Sequence, residues 1–204
     1  MRLVERTLES FVKEVASPSP APGGGSVAAL AGSLGAALGS MVCHHALKGK
    51  QVDSQAVQDL LRELDDCRGT FLNAVDADTE AFNRIMAALA IPKTDAEARK
   101  TALAAATREA TAVPLQVAVT AARTMELMAR LTAHARKAVA SDLGAGLEAL
   151  ACCLTAAAYN VETNLPGVAD EAFLSATRRS LHQSRQAADG NYQVVRQWVE
   201  RQLA

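Results

Sequence analysis

The sequence predicts an all-α fold, a single-domain bundle of about six to seven long helices that spans residues 1–204. Alanine is the dominant residue, and leucine, arginine, glutamine and glutamate are also frequent, all of which favour helix formation. No run of alternating valine, isoleucine, threonine or tyrosine is long enough to predict a sheet. Half of the residues are hydrophobic but only 3% are aromatic, which predicts helices that pack closely through small side chains.

The first helix is predicted over about residues 4–16, where apolar residues recur at helical spacing. The recurring residues are Val4, Leu8, Phe11, Val12 and Val15. The proline-rich segment that ends at Pro22 should terminate this helix and run extended, because proline cannot continue the helical hydrogen-bond ladder.

A second helix should begin directly after the string Gly23-Gly24-Gly25-Ser26. Within it, Gly25, Gly32, Gly35 and Gly39 fall near one face. A glycine in a helix costs about 1 kcal/mol relative to alanine, so several glycines on one face indicate a closely approaching backbone. We therefore expect a neighbouring helix, of this or of another subunit, to lie across this face.

The stretch from Ser17 to Cys43 contains no charged residue and is long enough to span a bilayer. However, three prolines and three consecutive glycines occupy its start. The remainder is mostly alanine, glycine and serine, with few large apolar side chains to stabilise insertion. A buried central helix, and not a membrane span, is the prediction.

A third helix is predicted over about residues 54–90, with Phe71, Val75 and Phe82 on one apolar stripe. The steps along this stripe alternate between four and three only if Asp78 is included. A buried, unpaired carboxylate is costly, so Asp78 should either pair with a cation or have a raised pKa. A structural ion pair and a functional role are equally compatible with this pattern.

Three further helices complete the predicted bundle. The fourth covers about residues 95–132, with Thr94 or Asp95 as its cap, and Pro114 should kink or divide it. The fifth begins near Ser141-Asp142 and ends at the segment Asn164–Gly167. The last runs from about residue 169 to the C-terminus. Its expected packing positions are Phe173, Leu181, Val194, Val195 and Trp198.

Charge and cysteine usage limit the partners and the compartment of the protein. The net charge is −1 at pH 7, and basic residues are dispersed along the chain, so no electrostatic feature indicates nucleic-acid binding. The four cysteines form no CxxC pair, and the N-terminus lacks the apolar core of a signal peptide. Both observations predict a reducing, cytoplasmic location.

Two local features could carry chemistry besides Asp78. The glycine string lets a ligand approach the backbone, and the helix that follows presents unpaired N–H groups. The alternative is a turn with Ser26 as a helix cap. Asp142 at the start of a helix is, taken alone, more typical of a cap. No metal site is predicted, because His44 and His45 are adjacent on a helix and point in different directions.

In order along the chain, these motifs resemble the formiminotetrahydrofolate cyclodeaminase and methenyltetrahydrofolate cyclohydrolase family. The matching segments are Pro20–Leu30 with Gly35–Leu38, Asp78–Phe82 with Met86–Ala88 and Pro92-Lys93, Ala110–Leu115, Ser141–Gly144, and Asn160-Val161. The resemblance covers about residues 8–185 and therefore nearly the whole chain.

The resemblance implies an all-helical homodimeric enzyme that acts on a one-carbon unit carried by tetrahydrofolate, with no cofactor beyond this substrate. Our hypothesis is that Asp78, because of its predicted burial, or Asp142, because of the motif match, is the proton acceptor, with Lys93 stabilising or donating. The substrate-binding residues that the resemblance implies are Pro22, Gly23, Gly24, Gly25, Ser26, Phe82, Ser141 and Asn160.

Two segments depart from the family pattern. Residues 44–52 lack the usual Asn-x-Thr and the lysine-rich stretch that ends in tyrosine, and residues 134–140 lack the usual Gly-Asn. These departures keep two alternatives open. One is a non-catalytic relative that serves as a folate-binding or dimeric interaction protein. The other is a related cyclic-amidine hydrolase that acts on a different substrate.

Overall fold

The computed structural model describes residues 2–49 and 53–204, and over these residues it contains helices and no strands. The all-α prediction is therefore confirmed. The six α-helices, in chain order α1 to α6, are Leu8–Val15, Gly24–Ala46, Ser54–Ala90, Ala96–Leu131, Ala140–Asn164 and Glu171–Leu203. Short 3-10 turns lie at Leu3–Glu5, Lys137–Val139 and Leu165–Gly167.

The N-terminal segment differs from the prediction of one helix over residues 4–16. A 3-10 turn precedes α1, which begins only after Thr7, whose side chain accepts a hydrogen bond from the Ser10 N–H at 3.2 Å. Phe11 is buried, but Leu8 is 71% exposed and Val12 is also exposed. Apolar residues at helical spacing are therefore not all buried here, because such spacing indicates a periodic stripe and not whether the chain supplies a surface to cover it.

Helix α2 lies between α3 and α5 of the same chain, and its glycines make this close packing possible. A Cβ atom at Gly32 would overlap with Phe71, and one at Gly35 would lie 2.8 Å from the Gly146 carbonyl oxygen of α5. The expected neighbouring helix is therefore present, and it belongs to this chain. Packed against α3, α4 and α5, α2 is the buried helix that the sequence predicted.

In the part of the chain that the structure describes, two segments are long and apolar enough to cross a membrane by length and composition alone: α2 and residues 137–167. Core helices of soluble proteins pass the same test. The more apolar window, that of α2, is mostly buried within the protein, and its apolar composition is accounted for by packing against other helices.

Helices α3 to α6 complete the bundle around one hydrophobic core. The observed bounds of α3 coincide with the prediction, and α4 runs through Pro114 as one helix, so the proline does not divide it. Helix α6 begins after Asp170, which accepts the Phe173 N–H at 3.0 Å. Of its expected packing positions, Val194 was wrong, since it faces solvent.

Candidate functional site

A cavity of about 190 Å³ lies where α2 begins, α5 ends and the second half of α3 passes beside α4. Its walls are formed by the proline- and glycine-rich segment and by side chains from α3, α4 and α5. Its lining residues are Pro20, Ala21, Gly23, Gly24, Gly25, Asp78, Ala81, Phe82, Ile85, Ala110, Asn160 and Asn164.

Asp78 is the acidic group of this cavity, and Ser26 holds it. The backbone N–H of Ser26 donates to Asp78 Oδ2 at 2.9 Å, and the Ser26 hydroxyl lies 3.1 Å from the same oxygen. Ser26 Oγ also lies 2.9 Å from the Val75 carbonyl oxygen. Among the described residues no lysine or arginine pairs with Asp78. The structural ion pair considered for this position is therefore not found there.

Burial of Asp78 raises the pKa of its carboxyl group above the ordinary value. Desolvation is the largest influence, because it disfavours the ionised form. The two hydrogen bonds from Ser26 act in the opposite direction, since they stabilise the carboxylate. The result is a carboxyl group that gains a proton more readily than one in water, at the edge of a cavity.

Glycine is required at position 25 because the Asp78 carboxylate occupies the space that a side chain would fill. A Cβ atom built on Gly25 would overlap with the Asp78 Oδ1 and Cγ atoms. At Gly24, a Cβ would lie 3.4 Å from Asn160 Nδ2. The start of α2 can therefore approach both side chains only through bare backbone.

Asn160 and Asn164 lie one helical turn apart near the end of α5. Asn160 Nδ2 donates to the Ala156 carbonyl at 2.8 Å, and Asn164 Nδ2 donates to the Ala110 carbonyl of α4 at 2.7 Å. Asn164 was not among the residues predicted for the site. The only sequence signal for it was its position four residues after Asn160, which places both on one helix face.

The structure brings some of the predicted site residues together and leaves others apart. Those that line the cavity are Gly23, Gly24, Gly25, Asp78, Phe82 and Asn160. Pro22 and Ser26 are next to it but buried. The Ser26 side chain is behind Asp78, so it holds the carboxylate and does not face the cavity.

Ser141, Asp142 and Lys93 do not line the cavity in a single chain. Asp142 is in the first turn of α5, and the helical rise places it about 27 Å along the axis from Asn160. It is half-buried, and Ser141 is exposed. Lys93 is exposed in the connection between α3 and α4. One chain therefore supplies Asp78 but not Asp142 to the cavity.

Within residues 2–49 and 53–204, no three histidine, cysteine, aspartate or glutamate side chains converge to hold a metal ion. That the site works without a metal stays a prediction. The four cysteines are free, and burial raises the pKa of the Cys43 and Cys153 thiols to about 12. These two thiols are therefore inert packing groups.

The formiminotransferase-cyclodeaminase family profile matches residues 7–183 of the chain. A formimidoyltransferase-cyclodeaminase from Gallus gallus is 33% identical over 208 residues, which cover 99% of this chain and 38% of that protein. The methenyltetrahydrofolate cyclohydrolase of Methylorubrum extorquens is 36% identical over 172 residues, covering 82% of this chain and 83% of that protein.

A solved structure has the same fold. The crystal structure of formiminotetrahydrofolate cyclodeaminase from Thermotoga maritima matches with a TM-score of 0.88 and 25% sequence identity, over 96% of both chains. The chain spans less than two fifths of the formimidoyltransferase-cyclodeaminase from Gallus gallus. The match over most of the sequence and the agreement in fold lead to one conclusion: the chain belongs to the formiminotransferase-cyclodeaminase family.

Proposed function

We propose that this chain is a folate one-carbon enzyme, either a methenyltetrahydrofolate cyclohydrolase or a formiminotetrahydrofolate cyclodeaminase, and that Asp78 transfers the proton. The observation that carries the proposal is the half-buried Asp78 carboxylate, held by Ser26 at the edge of a glycine-lined cavity. The names of the relatives over 82% to 99% of this chain support both activities.

Both reactions make or break a bond between nitrogen and a single carbon. In the cyclohydrolase reaction, water attacks the cationic methenyl carbon, a base removes a proton from that water, and a donor protonates the departing nitrogen. In the cyclodeaminase reaction, N10 attacks the formimino carbon and ammonia leaves. Neither reaction changes an oxidation state, so neither needs a redox cofactor.

Asp78 suits this chemistry because a general acid-base group works best when its pKa lies near the working pH. Burial raises the pKa of Asp78 and so brings it closer to neutral pH. The bare backbone at Gly23 to Gly25 provides a surface on which a flat pterin ring can lie. Lys93 remains in the proposal as the cation that stabilises or protonates the departing nitrogen.

The test is to mix the purified protein separately with methenyl- and formimino-tetrahydrofolate. The methenyl chromophore disappears in the hydrolase reaction and appears in the deaminase reaction, so one signal distinguishes the two. We expect Asp78→Asn to reduce turnover at least about 10²-fold. Asp66→Asn is the matched control, because Asp66 is exposed on the same helix. Full activity in Asp78→Asn would refute the proposed role.

The same experiment tests the non-catalytic alternative, which the altered segments at residues 44–49 and 134–140 motivate. Residues 50–52, which belong to the first of these segments, lie outside the described part of the chain. Folate binding without consumption of either substrate would favour this alternative over catalysis. Turnover of neither substrate together with no folate binding would leave a different cyclic amidine as the substrate to be sought.

We further propose that the chain acts as a homodimer through a surface that we call the α2–α5 face. On α2 it comprises Val27, Leu30, Leu34 and Leu38, which recur at helical spacing; Leu34 is 56% exposed. On the antiparallel neighbour α5 it comprises a groove along Cys152, Thr155 and Tyr159, with Tyr159 62% exposed. Exposed apolar residues on two neighbouring helices favour a protein partner.

A two-fold pairing through the α2–α5 face gives Asp142 a place in the proposed mechanism. A two-fold axis that lies in the plane of this face, perpendicular to α5, pairs the face with its copy and runs the two α5 helices antiparallel. Asp142 and Ser141 of the partner subunit then approach the cavity end of α5, where Asn160 lies. We propose that each site combines Asp78 from one subunit with Asp142 from the other.

Mixing two inactive variants tests this shared site. Asp78→Asn and Asp142→Asn homodimers should each be inactive, but a heterodimer of the two contains one intact site. Random exchange at equal amounts should therefore restore about a quarter of wild-type activity. No recovery after verified subunit exchange would place both carboxylates in the same subunit or remove Asp142 from the mechanism.

The remaining parts of the proposal concern the compartment and the extent of the functional unit. Four free thiols support a reducing, cytoplasmic location, and a net charge of −1 gives no basis for a nucleic-acid partner. The helices share one hydrophobic core, which supports residues 1–204 as one cyclodeaminase/cyclohydrolase-like domain that does not require a membrane.

A further inference from the structure

Two asparagines form one wall of the cavity, and the proposed proton transfer uses neither of them. Asn160 and Asn164 both line the cavity from α5. Each side-chain amide has one end tied to a backbone carbonyl, Asn160 to Ala156 in its own helix and Asn164 to Ala110 in α4. Both amides are therefore fixed before any ligand arrives.

Hydrogen-bond chemistry determines which end of each amide is tied. A backbone carbonyl can only accept, so the NH₂ group of each asparagine must face it. Among the described residues no group donates to either Oδ1 atom, so each Oδ1 is left as a free acceptor beside the second N–H of its own NH₂ group. Asp78 adds a third side-chain acceptor, because Ser26 engages only its Oδ2 atom. Donors in the wall come from the unpaired backbone N–H groups at the start of α2.

Pro114 explains why the Ala110 carbonyl can hold Asn164. In a regular helix, the carbonyl of residue 110 accepts the N–H of residue 114. Proline has no N–H, so this carbonyl loses its helical partner although α4 continues. The Asn164 amide lies 2.7 Å away and provides the missing donor. A proline on one helix thereby fixes an asparagine on another.

We propose that Asn160 and Asn164 are specificity residues whose fixed Oδ1 atoms accept hydrogen bonds from the 2-amino-4-oxopyrimidine edge of a pterin, with Pro114 as the residue that positions Asn164. This inference rests on the proposed function and names the part of the substrate that Asn160 and Asn164 recognise. The 2-amino group and the neighbouring ring N–H are donors, which complement an acceptor wall. A buried acceptor left unpaired by the wrong ligand is costly.

The test compares 5-formyltetrahydrofolate, which is chemically stable, with its 2-desamino analogue, by calorimetric titration. Wild-type protein should bind the 2-amino ligand at least about tenfold more tightly. At least one of Asn160→Ala and Asn164→Ala, the variant that removes the acceptor of the 2-amino group, should bring this ratio towards one by weakening only the 2-amino ligand. A variant that removes the acceptor of the ring N–H should weaken both ligands. Pro114→Ala should change the affinities in the same direction as Asn164→Ala, although Pro114 does not line the cavity, because a restored N–H competes for the Ala110 carbonyl.

Asn191→Ala is the matched control. Asn191 makes the same bond to a carbonyl four residues back, to Ala187 at 2.9 Å, but on the exposed surface of α6. It should leave the ratio unchanged. A wild-type ratio in both Asn160→Ala and Asn164→Ala would overturn this inference and leave the proposed function standing. Failure of the wild type to bind or turn over any folate would overturn both.

Discussion

Ser26 and Asp78 show how two opposing influences set the chemistry of one carboxyl group. Removing the carboxylate from water raises its pKa, while two donors from Ser26 to a single oxygen lower it. Burial is the larger influence, so the group is more easily protonated than an ordinary aspartate. Gly25 permits the arrangement, because any side chain there would displace the carboxylate.

The raised pKa of Asp78 predicts the acidic limb of the activity profile. A proton acceptor must be ionised, so kcat/KM should fall as the pH drops through the raised pKa, at a higher pH than about 4, where an exposed aspartate titrates. Ser26→Ala removes a donor to the carboxylate and should shift this limb to still higher pH. The measurement is kcat/KM against pH for both proteins.

Ser33→Ala is the matched control for this shift, because Ser33 is also buried on α2 but bonds only to the Leu30 carbonyl. An acidic limb at the same pH in wild type and Ser26→Ala would contradict the prediction.

The contribution of Asp78 to folding stability depends on pH in the opposite direction to its contribution to activity. Because the folded-state pKa is raised, the contribution of Asp78 to stability is present at low pH and is lost as the pH rises through that pKa.

At this scale, the sequence predicted some site residues well and others poorly, for a physical reason. Asp78 and the glycine string broke a local pattern, and both line the cavity. Asn164 broke no pattern, because an asparagine at a helix end is an ordinary capping residue. Its role depends on the Ala110 carbonyl, 54 positions earlier in the chain, and sequence spacing alone does not show such a contact.

At the scale of elements, the glycines of α2 lower its intrinsic helix stability but allow it to pack closely against its neighbours. Glycine lowers helix propensity, yet α2 carries glycines where Phe71, Leu150 and the backbone of α5 approach it. Removing a side chain here lets the core helix approach the backbone of α5 at Gly146 and makes room for the Phe71 side chain of α3. The gain is in tertiary packing, since the composition of α2 gives it no amphipathic stripe.

Adding one methyl group at a glycine tests whether close packing requires glycine there. Gly35→Ala should lower the free energy of unfolding by about 1–3 kcal/mol, because the new Cβ overlaps with Leu150 and the rigid Gly146 carbonyl. Gly190→Ala on α6, where nothing lies within 4 Å, should instead raise it by up to about 1 kcal/mol. Denaturant unfolding measures both, and equal effects of the same sign would contradict the packing argument.

Element bounds could be predicted where local signals were strong. Asp53 caps α3 by accepting the Ala56 N–H, and the helix ends before Pro92, so its predicted limits agree with the observed ones. The N-terminus was harder, because the 3-10 turn is fixed by a non-local bond from the Leu3 N–H to Asp76 on α3, at 2.5 Å. Local periodicity contains no information about that bond.

At the scale of the whole molecule, the fold separates residues that the family resemblance groups together. Asp78 lines the cavity at one end of α5, and Asp142 lies in the first turn at its other end. The α2–α5 face runs between the two ends. A symmetric pairing through this face is the simplest arrangement that gives both carboxylates one site.

Leu34→Glu tests the face directly. Leu34 is largely exposed, so a charge there should leave the subunit folded but prevent an apolar face from pairing. We expect light scattering to give about twice 21.4 kDa for the wild type and about 21.4 kDa for the variant. Turnover should fall with dimer content.

Val194→Glu is the control for Leu34→Glu, because Val194 is exposed on α6, outside the α2–α5 face. It should remain dimeric and active. A monomeric wild type with full activity, or a Leu34→Glu variant that stays dimeric, would remove the α2–α5 face from the proposal.

The position of the Ser26 hydroxyl between two acceptors has a consequence for the proposed proton transfer at Asp78. Its single proton can point to Asp78 or to the Val75 carbonyl, at 3.1 and 2.9 Å. When Asp78 is charged, the hydroxyl donates to it; once Asp78 has captured a proton, the hydroxyl can rotate to Val75 and accept from the acid. In both protonation states of Asp78, its Oδ2 atom thus keeps a hydrogen bond to the Ser26 hydroxyl, and rotation about one bond replaces any movement of the backbone between them.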